Sequence, residues 1–130
     1  MNHFLKYTLM AAVLSLGTLP MRAADLTISL MGSEPVTRHT VKFQCNGQAG
    51  VLGLPTGIFE VEYLNGNGNS LAVLLIQGHS LIFANVLSGS GARYAAGNYL
   101  WWNAGARGVT LSANPDSTSD KQQTACRQAK

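Results

Sequence analysis

The sequence has 130 residues, 12% of them charged, and a formal net charge of +3 at neutral pH. A charge of this size attracts nucleic acid only weakly, and no cluster of lysines and arginines strengthens it, so nucleic-acid binding is not expected. The length accommodates one domain with one hydrophobic core.

The first 24 residues are predicted to be a secretory signal peptide. Lys6 follows a polar start, and residues 7–19 form an almost unbroken apolar run, too short for the roughly 20 residues of a membrane span. Ala23 and Ala24 supply the small side chains that signal peptidase needs, so we expect cleavage near them. No cysteine stands there to carry a lipid. The expected product is residues 25–130, a periplasmic domain without a membrane anchor and with a net charge of about +1.

Short alternating segments take the place of helical periodicity in residues 25–130. Residues 38–45 alternate most clearly, and residues 58–64 set apolar side chains on one face against Glu60 and Glu62 on the other. Turn residues separate such segments at intervals of roughly 8 to 12 residues. The pattern predicts an all-β fold, a single small antiparallel β-barrel of about eight strands. The predicted strands are residues 26–31, 38–45, 58–64, 71–76, 81–86, 92–95, 99–103 and 109–112.

Two segments fall outside this plan. Residues 46–57 are rich in glycine and are predicted to form a surface loop, in which Val51, Leu52 and Leu54 can fold back on the barrel. Residues 113–130 are polar, and we expect their order to depend on a disulfide through Cys126.

Both cysteines, Cys45 and Cys126, lie in the exported part of the chain, where an oxidising compartment permits a disulfide. In the chain-entropy description such a long closed loop stabilises the fold by about 4 kcal/mol. The alternative, two free thiols in redox chemistry or metal binding, calls for closer spacing or nearby histidines.

A polar loop, residues 88–91, directly precedes an aromatic hairpin. Strand alternation places Trp101 and Trp102 on opposite faces, so one ring is expected in the core and the other on the surface. A large ring exposed beside a loop of small residues is typical of a binding edge.

Enzyme motifs are incomplete throughout. Ser90 has glycines on both sides, but the residue two positions earlier is serine, so the G-x-S-x-G pattern fails. Glu60 and Glu62 fit a solvated strand face better than an acid/base pair. His39 and His79 show no ligand spacing of the zinc kind. We therefore predict no catalytic residue, no metal site and no cofactor.

The sequence Ser-Gly-Ala-Arg-Tyr, residues 90–94, is an SGxxY motif, and Trp102 and Gly105 follow in a W-x-x-G hairpin. Together they resemble the bacterial inhibitors of c-type lysozyme, the MliC/PliC family. The similarity covers residues 43–111, and Cys126 matches a terminal cysteine of the family. The missing lipid-attachment cysteine points to the periplasmic form.

The resemblance implies an eight-stranded antiparallel barrel whose SGxxY loop enters the active-site cleft of a c-type lysozyme. The serine that contacts the catalytic carboxylates would be Ser90, with Gly91 allowing close approach and Tyr94 bracing the loop. The candidate lysozyme-binding residues are Ser88, Ser90, Gly91, Arg93, Tyr94, Trp102 and Arg107. The oligomeric state stays open between a monomer and a homodimer.

One position departs from the family pattern. The family usually carries lysine in a W-x-K-G hairpin, where this chain has Ala104, and Arg107 is the nearest basic residue after it. A second function also remains open, a barrel that carries a small ligand in its interior, because eight strands enclose either a filled core or one small molecule.

Overall fold

The computed structural model describes Gly17, residues 23–114 and residues 122–130. Eight antiparallel strands form a closed barrel in which each strand pairs with the next and the last pairs with the first. A 3₁₀ turn, Gly105–Arg107, lies between β6 and β7. The strands are β1 (Thr37–Cys45), β2 (Phe59–Gly66), β3 (Asn69–Ile76), β4 (His79–Val86), β5 (Ala92–Ala96), β6 (Tyr99–Asn103), β7 (Val109–Ala113) and β8 (Gln123–Gln128).

The inward side chains fill the barrel along most of its length. Alternation in β2 buries Phe59, Val61 and Tyr63, as predicted, and leaves Glu60 outside. Trp101 is completely buried, whereas Trp102 on the opposite face is half-buried, which confirms the predicted split between the two rings. The largest fully buried apolar side chains are Trp101, Phe83, Leu74, Leu111 and Val61.

The prediction of a strand at residues 26–31 is wrong. These residues form no strand, and their apolar side chains are exposed. Instead, β8 (Gln123–Gln128) completes the barrel by pairing with β7 and with the last residues of β1. An alternating pattern becomes a strand only where a neighbour supplies hydrogen bonds, and here the polar C-terminal segment takes that place.

The predicted disulfide is present. Cys45 and Cys126 occupy directly paired positions on β1 and β8, and their side chains are bonded. The bond lies where the first and last strands meet. The β1–β8 ladder is short, because it runs only from Phe43 to Cys45 on the β1 side.

The loop between β1 and β2 closes one end of the barrel. Leu52 and Leu54 fold onto the core, as predicted, together with Ala49, while Val51 stays exposed. The Gln77 amide in the β3–β4 turn donates to the Gly53 carbonyl oxygen at 2.8 Å, which attaches the loop to the strands beside it. The β1–β2 loop therefore covers this end of the barrel.

The predicted signal peptide lies almost wholly outside the described residues. In the parts of the chain that the structure describes, no helix is long and apolar enough to cross a membrane.

Candidate protein-binding site

Two connections at the open end of the barrel contact each other, and the β2–β3 turn lies at the same end. Successive antiparallel strands reverse direction, so the β4–β5 connection (residues 87–91) and the β6–β7 connection (residues 104–108) lie at the same end. The β1–β2 loop lies at the opposite end. Most of the binding residues predicted from sequence fall on these two connections or on the strand ends beside them.

Hydrogen bonds hold both oxygens of Ser90, the side-chain Oγ and the main-chain carbonyl. The Trp102 indole Nε1 donates to the Ser90 carbonyl oxygen at 3.0 Å, and the Arg107 guanidinium donates to Ser90 Oγ at 2.8 Å. Ser88 Oγ also donates to the Ser90 carbonyl. An exposed loop of small residues is thus fixed by partners from three positions, which reduces the conformations it samples.

Two arginines lie against the ring of Trp102. Arg93, its cross-strand partner on β5, places its guanidinium carbon 5.4 Å from the ring centroid, and Arg107 places its own at 5.3 Å. Both distances fit cation–π attraction. The Arg93 Nε atom is buried and has no hydrogen-bond partner among the described residues. The ring therefore fixes two positive charges beside the serine loop.

Gly91 makes the turn into β5 possible. Its backbone has a φ of +66°, and a Cβ atom at this position would overlap the Asn103 carbonyl oxygen on β6. The sequence motif suggested that this glycine allows a partner to approach. The structure adds a second requirement, which is that the loop itself lies directly against β6.

Ala104 begins the β6–β7 connection and has no side chain that could reach a partner. Its amide donates to the Gly108 carbonyl at 2.9 Å, and the Gly105 amide donates to Asn103 Oδ1 at 3.0 Å. These bonds shape a compact turn that carries Arg107 toward Ser90. Sequence separation alone gives no indication of that contact, because it depends on how β5 and β6 pair.

Tyr94 lies on the inner side of the barrel, with only 7% of its surface exposed. Its hydroxyl is 3.2 Å from Ser70 Oγ on β3, and its ring packs near that of Tyr63. The structure thus brings six of the seven candidate binding residues to the outer surface near the loop and places Tyr94 on the inner side of the barrel.

Tyr63 shares the inner side with Tyr94. The Trp101 Nε1 donates to the Tyr63 hydroxyl at 2.9 Å, and the ring of His39 stacks on that of Tyr63 at 5.2 Å. Burial raises the pKa of Tyr63 above its ordinary value, and the nearby Tyr94 adds to the shift, while the bond from Trp101 partly opposes it.

The charge near the loops is positive or absent. The sequence has no aspartate or glutamate from residue 63 to residue 115, a stretch that contains both connections. No hydrogen bond joins Ser90 to a histidine among the described residues, which also hold no cluster of metal-ligating side chains. The positive charge suits this surface to a partner that carries carboxylates. Among the described residues, Ser90 and a histidine do not form a nucleophile pair.

The chain is thus a small closed β-barrel that presents two hydrogen-bonded connections at one end. Residues 43–118 match the family described as membrane-bound lysozyme-inhibitor of c-type lysozyme. The chain belongs to this family, which confirms the resemblance found in the SGxxY and W-x-x-G motifs. Its members are named as lysozyme inhibitors and not as enzymes.

Two curated relatives are named membrane-bound lysozyme inhibitor of C-type lysozyme. The one from Pseudomonas aeruginosa is 41% identical over 80 residues, which cover 60% of this chain and 56% of the relative. The one from Cupriavidus necator is 37% identical over 71 residues, which cover 55% of this chain and 50% of the relative. The chain thus spans about half the length of the curated relatives it matches.

A solved structure shares the fold. It is the crystal structure of Pseudomonas aeruginosa MliC in complex with hen egg white lysozyme, and it is 33% identical to this chain with a TM-score of 0.61. The match covers 83% of this chain and 99% of that one.

Proposed function

We propose that this protein inhibits c-type lysozyme by inserting the β4–β5 connection into the active-site cleft of the enzyme. The observation that carries the proposal is the fixation of Ser90, whose carbonyl oxygen is bonded to Trp102 and whose Oγ is bonded to Arg107. A loop that is ordered before binding loses less conformational entropy on association than a free loop does.

The chemistry of the serine suits the partner. Ser90 Oγ accepts a hydrogen bond from Arg107, so its own proton is free to be donated. A c-type lysozyme has two catalytic carboxyl groups, one protonated acid and one ionised carboxylate. The Ser90 hydroxyl would donate to the ionised group, and the loop would occupy the place of the scissile bond. Inhibition is therefore expected to be competitive.

Arg107 would supply the cation that the family pattern places at the lysine of the W-x-K-G hairpin, three residues earlier in the sequence. Ala104 stands at the position of the family lysine, but Arg107 already lies 2.8 Å from Ser90 Oγ. A carboxylate that reaches the serine would therefore also meet a guanidinium, and charge-assisted hydrogen bonds of this kind are short and strong. The planar guanidinium differs in shape from an ammonium, so the detailed contact would differ as well.

The test is an inhibition assay on bacterial cell walls with wild type, Ser90→Ala, Arg107→Ala and Ala104→Lys. We expect Ser90→Ala and Arg107→Ala each to raise the inhibition constant by about tenfold, the effect of one lost hydrogen bond to a charged group. Ser80→Ala, at the opposite end of β4, is the matched control and should leave inhibition unchanged.

The outcomes distinguish an error in the proposed function from an error in the proposed contact surface. If the wild-type protein fails to slow c-type lysozyme at micromolar concentration, the proposed function is wrong. If it inhibits but Ser90→Ala is neutral, another surface meets the enzyme. A gain from Ala104→Lys would mean that Arg107 replaces the family lysine incompletely, whereas no gain would support full replacement.

We also propose that the protein acts in the periplasm. The predicted signal peptide supports this location, and so does the Cys45–Cys126 disulfide, because such bonds persist in oxidising compartments. Fractionation of cells that express the full chain should recover it with periplasmic markers, and recovery from the cytoplasm would contradict the proposal.

A further inference from the structure

A cavity of about 300 Å³ opens at the loop end of the barrel. It lies beside the short β1–β8 ladder, where β1 continues past the end of β8 and the wall of the barrel is incomplete. The barrel interior beyond it is filled by fully buried side chains, so a ligand could occupy the mouth but not the centre. The residues that line the cavity are His39, Val41, Phe43, Tyr63, Asn65, Tyr94, Asn103, Gly105, Gly108, Val109, Arg127 and Gln128.

Two asparagines of the lining have their oxygens occupied by the protein. Asn65 Oδ1 accepts from Ser70 Oγ at 2.6 Å, and Asn103 Oδ1 accepts from the Gly105 amide at 3.0 Å. The Nδ2 group of each has no partner among the described residues. Each amide therefore keeps both of its N–H groups available as hydrogen-bond donors toward the cavity.

Tyr63 adds a third donor. Its oxygen accepts from Trp101 Nε1, and its own hydroxyl proton has no acceptor among the described residues. The side chain is 7% exposed and contributes to the lining of the cavity, so a ligand there could supply the acceptor. His39 lies over the Tyr63 ring with an interplanar angle of 18° and is itself exposed, which presents flat aromatic surface at the mouth.

The lining carries no aspartate or glutamate, and its one arginine is engaged elsewhere. Arg127 donates to Gln44 Oε1 at 3.3 Å, and by strand alternation both side chains belong to the outer face. The cavity thus combines amide and hydroxyl donors with aromatic rings and lacks a charge dedicated to an ion. Its volume is at the lower end of the range for small-molecule sites.

We propose that this cavity, the barrel-mouth site, binds a pyranose sugar of one or two rings. Ring and hydroxyl oxygens accept from Asn65, Asn103 and Tyr63, and the apolar face of the pyranose packs on the exposed His39 ring. The proposal does not depend on lysozyme inhibition. It differs from a carrier with an internal chamber, since the ligand sits at the mouth, beside the connection that holds Arg107.

The test is a titration of the oxidised protein with glucose and with N-acetylglucosamine, followed by backbone amide NMR. We expect saturable shifts in the millimolar range for the amides of the barrel-mouth site. His39→Ala should weaken binding by about fivefold, the contribution of one aromatic stacking partner. His79→Ala, a histidine at the opposite end of the barrel, is the matched control and should bind as wild type does.

A second variant tests the donors. Asn65→Asp keeps the oxygen that Ser70 needs and removes the N–H donors, so it should fold and weaken binding by about tenfold. Asn98→Asp, in the turn at the closed end, should have no effect. Absence of saturable shifts with either sugar would overturn the proposal. So would equal shifts with acetate, which would mean an anion site, or unchanged affinity in both cavity variants.

Discussion

The two ends of the barrel are built on opposite principles. At the closed end the β1–β2 loop buries apolar side chains, and backbone hydrogen bonds attach it to the neighbouring turn. At the open end the connections are short, and they are joined to each other by side-chain hydrogen bonds and cation–π pairs around Ser90 and Trp102. One end contributes stability, and the other presents chemistry that a partner can meet. Substitutions at the two ends should therefore affect different measurements.

The largest expected effect on inhibition is at Gly91. Gly91→Ala places a Cβ atom against the Asn103 carbonyl oxygen and forces an unfavourable positive φ, so the serine loop must move. We expect the inhibition constant for c-type lysozyme to rise by about 100-fold, which corresponds to about 2.7 kcal/mol. Circular dichroism should show that the barrel is retained.

Gly97→Ala is the control for this substitution. Gly97 also has a positive φ, but it lies in the β5–β6 turn at the closed end and a Cβ atom there meets nothing within 4 Å. It should lower stability slightly and leave inhibition unchanged. Equal loss of inhibition in both variants would mean that backbone strain in general, and not the position of the serine loop, governs binding.

The converse experiment is at Leu52. This side chain is 5% exposed and packs on the core from the β1–β2 loop, so Leu52→Ala should lower the free energy of unfolding by about 3 kcal/mol. The folded protein should inhibit as wild type does. Val51→Ala, at the exposed neighbouring residue, should change neither the free energy of unfolding nor the inhibition. Denaturant unfolding measures the stability of both variants. Weaker inhibition by folded Leu52→Ala would show that the two ends are coupled.

The smallest expected effect is at alkaline pH. Tyr63 has a pKa raised above its ordinary 10.0, because burial favours the neutral hydroxyl. The stability that it contributes is present in full below about pH 10.0 and falls as the pH rises through the raised pKa. Ultraviolet titration should show a late tyrosine transition that disappears in Tyr63→Phe and persists in Tyr99→Phe. Retention of that transition in Tyr63→Phe would refute the assignment.

Sequence periodicity was sufficient to predict the central strands, but it did not predict which strand closes the barrel. β2 alternates between apolar and polar residues, so its buried face could be predicted from residue type alone, whereas in β6 alternation separates Trp101 from Trp102 without indicating which ring is buried. β8 is mostly polar, and its pairing depends on a remote neighbour, while residues 26–31 have a strand-like pattern and no partner. Local pattern reports which face can be buried. It does not report which segment completes a ladder.

The candidate site was predicted in part for the same reason. The SGxxY and W-x-x-G motifs identified the two connections, and Ala104 marked the missing lysine. The contact between Arg107 and Ser90 was beyond sequence reasoning, since it joins two turns through the pairing of β5 and β6. The barrel-mouth site was also missed, because its lining comes from six strands and their ends.

The short β1–β8 ladder has a consequence for solubility. From Thr37 to Val41, β1 pairs with β2 on one side and with no described strand on the other, so part of a strand edge is open. Such edges promote aggregation through intermolecular sheet pairing, and charged side chains oppose it. Arg38 stands within this edge with 66% of its side chain exposed and an ion pair to Glu62. The positive charge at Arg38 thus protects the place where the barrel wall is left incomplete.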